Sequence, residues 1–134
     1  MPTRTDVDAQ VTTVQVMPAT RVADATPVLS TDFDVRAYVP GARFLLVLNA
    51  FETNVANTGG TWTVTESATD GGTYTTASTT GSLAATPATA GNSVRTVSVK
   101  PNPAKPFVLV TYTGADANTE VDITATLVVV PQGL

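Results

Sequence analysis

The chain has 134 residues, a net charge of −4 and only 13% charged residues, with neither Cys nor His. That length suits one domain, able to bury roughly two-thirds of its unfolded surface without covalent staples. The two absences exclude disulfide frameworks, thiolate nucleophiles, Cys/His zinc sites and a histidine general base, and the acidic balance argues against a nucleic-acid binder.

Thr occurs 26 times, Val 20 and Ala 18. Thr and Val are β-branched and favour strands, so the composition predicts an all-β protein. No apolar run follows Met1-Pro2-Thr3-Arg4-Thr5-Asp6, so no secretory signal is expected. The longest apolar runs, Phe44–Leu48 and Leu127–Pro131, fall far short of the ~20 residues that span a bilayer. Neither a membrane nor nucleic acid is expected as a partner.

In chain order, Val11–Met17 reads as a strand set between Pro2, Pro18 and Pro27. The rest of residues 1–30 is weakly patterned and is read as an extended arm outside the core, with an ordinary edge strand plus loop as the alternative. Phe33, Val35, Ala37 and Val39 alternate with Asp34, Arg36 and Tyr38, which predicts a half-buried strand. Pro40-Gly41 then turns the chain.

Arg43–Glu52 is apolar on both faces, with Phe44, Leu46, Leu48 and Ala50 on one side and Leu45, Val47 and Phe51 on the other. This predicts a central strand covered on both sides, one cover being a neighbouring subunit. After the polar turn 54–60 comes a strand over Thr61–Ser67, a hairpin turn at Asp70-Gly71-Gly72 and a return strand over Thr73–Ser78. Thr79–Asn92 is low in complexity and reads as a loop. Val94–Lys100, Phe107–Thr113 and Val121–Val130 complete a set of short strands separated by turn signals. The pattern predicts a single antiparallel β-sandwich or jelly-roll-like domain over residues 31–134, with the extended N-terminal arm over 1–30.

Few side-chain sets carry chemistry. Asp6/Asp8 and Asp32/Asp34 place carboxylates two apart, on one face of a strand, and Asp116, Asn118, Glu120 and Asp122 make an oxygen-rich loop. Solvated charge and a plain turn are the expected readings of these sets. Only three Glu occur, Glu52, Glu66 and Glu120; Glu66 shares a face with Trp62, which reads as a core anchor in preference to a sugar platform. The Ser and Thr residues have no His to activate them, and Lys100 and Lys105 have no Ser-x-x-Lys spacing. Gly59-Gly60 and Gly71-Gly72 are turn glycines and form no phosphate loop. The expectation is no enzyme, no cofactor and no metal.

The segment Trp62-Thr63-Val64-Thr65-Glu66-Ser67-Ala68-Thr69-Asp70-Gly71-Gly72-Thr73-Tyr74 resembles a hairpin common in tailed-bacteriophage and prophage virion proteins. A strand like Phe107–Tyr112 and a last alternating strand like Ile123–Val130 usually follow it. Over roughly residues 43–130 the chain is similar to small phage head decoration, or cement, proteins and to other head- or tail-associated sandwich subunits. Ser-x-x-Asp-Gly hairpins also occur in tail proteins and carbohydrate-binding modules.

The resemblance implies a structural virion protein that decorates and stabilises an icosahedral capsid by binding across major capsid protein boundaries. Its partners would be the major capsid protein and itself, as a homotrimer or homodimer. It would be made in the host cytoplasm and end on the capsid exterior. A tail or head–tail connector subunit, or a carbohydrate-binding module with weak glycan binding, are the alternatives. The residues expected to carry contacts are Thr3, Arg4, Val11, Val14, Val16 and Arg21 in the arm and Arg43, Leu45 and Val47 on the two-sided strand, with the 79–92 stretch beside them.

Overall fold

Alternating β-branched segments need a second layer to cover their apolar side, and here two antiparallel sheets cover each other. A computed structural model describes residues 11–52, 60–83, 91–115 and 120–132. Ten strands follow in order: β1 (Thr12–Val22), β2 (Val28–Leu29), β3 (Phe33–Asp34), β4 (Arg43–Glu52), β5 (Gly60–Ser67), β6 (Thr75–Thr76), β7 (Thr79–Thr80), β8 (Gly91–Val99), β9 (Phe107–Gly114) and β10 (Val121–Val130). The first sheet runs β1-β10-β4-β8-β7; the second runs β2-β9-β5-β6, with β3 also pairing with β9. The predicted antiparallel β-sandwich is what forms.

The inner faces supply the core. In the first sheet Phe44, Leu46 and Leu48 of β4 lie opposite Val129, Leu127 and Ala125 of β10 and Val99, Val97 and Arg95 of β8. The second sheet contributes Trp62, Val64, Val108, Val110 and Tyr112, all buried. Trp62 is fully buried and meets Tyr112 edge-on at 4.9 Å between ring centroids, so the core-anchor reading of this residue holds. Next to the pair, Gly60 has no room for a side chain: a Cβ there would stand 2.6 Å from the Tyr112 hydroxyl and 2.4 Å from the Thr113 carbonyl. The expected Asp70–Gly72 turn is present, with Gly71 at φ 68° and the Gly72 amide donating to Thr69 O at 3.0 Å.

The N-terminal stretch departs from the arm reading. Residues 12–22 are an edge strand along the whole of β10, with Val16, Met17 and Val22 buried. Pro18 does not end this strand because register shifts between Gln15 and Thr20 open a bulge, where the missing amide costs no ladder bond. Within the bulge, the Val16 carbonyl accepts from the Thr31 amide (2.9 Å) and hydroxyl (3.1 Å), tying the first sheet to the chain entering the second. Residues 1–10 lie outside the described residues.

Three further expectations change. Phe33–Val39 is not one strand: only Phe33–Asp34 pairs, and Val35–Ala37 coils into a 3-10 turn. Asp34 Oδ1 accepts from the Arg36 amide at 2.9 Å, giving the backbone a local partner in place of the ladder. Thr73–Ser78 contracts to β6. Thr79–Asn92 holds β7 at its start and the first residues of β8 at its end, with 84–90 outside the described residues.

Candidate interaction face

The outer face of the first sheet is built by register. β4 turns Arg43, Leu45, Val47, Asn49 and Phe51 outward. β10 sets Val130, Val128, Thr126, Thr124 and Asp122 opposite them on one side. On the other side β8 sets Ser98, Thr96 and Val94 beside Leu45, Val47 and Asn49. An aliphatic and aromatic band results along the middle strand, with Phe51 47% and Val94 51% exposed. At one end lies Arg43; at the other, Arg21 of β1 pairs with Asp122 through Nε and Oδ1 at 2.9 Å. This pair is half exposed and contributes little stability by itself. Amid the band, Asn49 Oδ1 is buried with no hydrogen-bond partner among the described residues, a state that costs about 1–3 kcal/mol for a buried acceptor.

The expected contact residues divide. Arg21, Arg43, Leu45 and Val47 lie on this face, and Leu45 and Val47 are half-buried by their own neighbours. Val14 and Val11 are half-buried, and Val14 packs against the core. Val16 is a correction: at 2% exposure it belongs to the chain's own core and has no surface to offer. Thr3 and Arg4 lie outside the described residues. Val94, Val128, Val130 and Asn49 were not expected on the face. The alternation of β10 carried the signal for two of them, since Asp122, Thr124 and Thr126 continue in steps of two to Val128 and Val130.

Among the described residues, Asp32 and Asp34 are engaged by other side chains. Asp32 accepts from the Tyr74 hydroxyl at 2.5 Å, while Asp34 takes the Arg36 guanidinium at 3.0 and 2.8 Å. That guanidinium holds the Asp34 carboxyl below its ordinary range. Asp70 shares a hydrogen bond with Asp32, and this bond, with the charge behind it, holds the Asp70 carboxyl above its ordinary range. Asp6/Asp8 and Asp116/Asn118 lie outside the described residues. Among the described residues no group of three or more His, Cys, Asp or Glu side chains is placed to hold a metal.

A second feature lies at the end of the sandwich where β3, β4 and β8 meet the Pro101–Pro106 loop. An apolar cleft of about 360 Å³ is walled by Tyr38, Pro40, Phe44, Pro101 and Pro103. A polar one of about 410 Å³ adjoins it across the same two prolines, lined by Glu66, Ser78, Lys100 and Asn102.

No protein-family model matches the chain, and no curated protein matches it either. Among solved structures, the K3 cleaved adhesin domain of Lys-gingipain from Porphyromonas gingivalis superposes with a TM-score of 0.52 at 11% identity, over 92% of this chain and 91% of that one. The SPBc2 prophage-derived protein YomS superposes at 0.48 with 13% identity, over 90% and 93%. A CBM35 from Cellvibrio japonicus Abf62 superposes at 0.42 with 19% identity; the alignment covers 79% of this chain and spans 66% of that module. At these identities the likeness is one of fold, and the adhesin domain supports the sandwich architecture.

Proposed function

We propose that the chain is a structural subunit of a phage particle, decorating and stabilising the capsid exterior by packing the outer face of its first sheet across boundaries between major capsid protein subunits. The observation that carries this reading is the apolar band Leu45–Val47–Phe51–Val94. A monomer left in water leaves that band wet, whereas a packed neighbour buries it. The low charge density fits, because Thr-rich surroundings are cheaper to dry than charged ones. Self-association around a capsid symmetry axis, as a trimer or dimer, belongs to the same proposal. The proposed role is non-catalytic.

The test mixes the purified chain with undecorated capsids of its own particle. Saturable binding with a raised capsid melting temperature is expected. Absence of saturable binding at micromolar concentration sinks the capsid reading and moves the role to another part of the particle, such as a tail or connector joint.

A further inference from the structure

Glu66 poses a question that the assembly reading leaves unanswered. It sits on the inner side of β5, in line with Trp62 and Val64, and is 7% exposed. A carboxylate so placed accepts up to about four hydrogen bonds and is costly to bury underpaired. It accepts one long bond, 3.3 Å, from Asn102 Nδ2. Asn102 is itself fixed, because its Oδ1 accepts from the Ala104 amide at 3.1 Å, which turns the amide's donor side toward Glu66. Lys100 lines the same polar cleft, and no ion pair joins it to Glu66 among the described residues. Lys105 is held at the margin by Thr75, the residue opposite Glu66 in register, through a 2.8 Å bond.

The charges decide the ligand class by elimination. A cation drawn to Glu66 enters a cleft that Lys100 also lines; an anion drawn to Lys100 meets a carboxylate there. A neutral ligand that both donates and accepts satisfies both signs. A peptide strand meets that description in part, but Pro101 and Pro103, shared by the two clefts, offer no amide to an added strand. Proline rings and the Tyr38 wall do offer apolar surface for a C–H face. Each cleft falls within the ~300–1,000 Å³ usual for small-molecule sites.

We propose that the two adjoining clefts form a saccharide-binding site, separate from the assembly face. Sugar hydroxyls donate to the Glu66 carboxylate and accept from the second Asn102 Nδ2–H and the Lys100 ammonium. The apolar side of the ring lies on Pro101 and Pro103, and a second ring reaches the Tyr38 cleft. The site works on the free subunit, so it stands or falls independently of capsid binding.

The experiment uses the full chain on an array of neutral mono- and oligosaccharides, with hits titrated by calorimetry. Saturable binding is expected, weakened at least about tenfold by Glu66→Gln, as for a site built to bond a ligand hydroxyl. Lys100→Ala, at an exposed position, should weaken it too without disturbing the fold. Three results would overturn the proposal: no saccharide bound by the wild-type chain, binding indifferent to both substitutions, or the peptide acetyl-Pro-Thr-Arg-amide saturating the cleft where sugars do not.

Discussion

The two sheets are alike inside and unlike outside. Both inner faces are largely apolar, Glu66 at the margin of the second excepted. The outer face of the second sheet is richer in hydroxyls: Thr61, Thr63 and Thr65 of β5 lie opposite Thr113, Thr111 and Leu109 of β9, with exposed Leu29 of β2 beside Thr111. The outer face of the first carries Leu45, Val47, Phe51 and Val94 along and beside its middle strand. Strand propensity does not account for the difference, since Thr and Val serve a strand about equally well. The hydroxyl remains content in water; the isopropyl group does not. Under the proposed assembly, the first sheet is the side that loses its water.

The comparison can be broken most directly with one aspartate on each side. Val94→Asp on the first sheet should weaken capsid binding at least about tenfold, or about 1.4 kcal/mol, while Thr63→Asp on the second should change it less than about twofold. Both positions are exposed, so both variants should keep the wild-type circular dichroism spectrum. Equal losses from the two would erase the distinction between the faces.

Asn49 sharpens it next. Asn49→Leu removes a buried acceptor without a partner, so the free subunit should gain about 1 kcal/mol in urea unfolding at unchanged slope. That oxygen is already closed off within the subunit, so capsid binding should change less than about twofold. A large loss of binding with unchanged stability would show that the amide acts at the interface instead.

The smallest effect is on pH. Asp34, with its folded pKa below the ordinary 3.8, supplies stability that is complete above that value and lost as pH falls through the lowered one. Asp70 works in reverse: its folded pKa is raised, so its contribution is present below 3.8 and is lost as pH rises through the raised value. Asp34→Asn should therefore flatten the acid limb of a melting-temperature profile, and Asp70→Asn the limb just above it. Both residues belong to the second sheet's margin, so capsid binding through the first sheet should follow neither change.

Much of the sandwich was legible because its longest strands are locally consistent. The two-sided apolar pattern of Arg43–Glu52 identified a central strand, Val121–Val130 alternates along most of its length, and Phe107–Thr113 is strongly apolar. What escaped is non-local or ambiguous in period. Val35 is buried equally well by a strand or by a 3-10 turn, and the Asp34 side chain makes the choice. Pro18 reads as a terminator until β10 supplies the bulge. The two-residue β7 is too short to carry any period. The clefts were hidden because Tyr38, Glu66 and Asn102 come from three segments that only the closed sandwich brings together. The outer face of the first sheet was half visible: Leu45 and Val47 follow from the two-sided pattern of their strand, but Val94 and Val128 depend on a register that the sequence does not state.

The bulge at Pro18 has one more consequence. A sheet with open edges can grow by accepting another copy's strand, and repetition of that event makes a fibre. Here the first sheet ends on one side in β1, broken between Gln15 and Thr20. That margin offers no straight template, so lateral growth through it is disfavoured even for a chain this rich in β-branched residues. The irregular β1 edge thus keeps one side of the sandwich from pairing with the same edge of another copy.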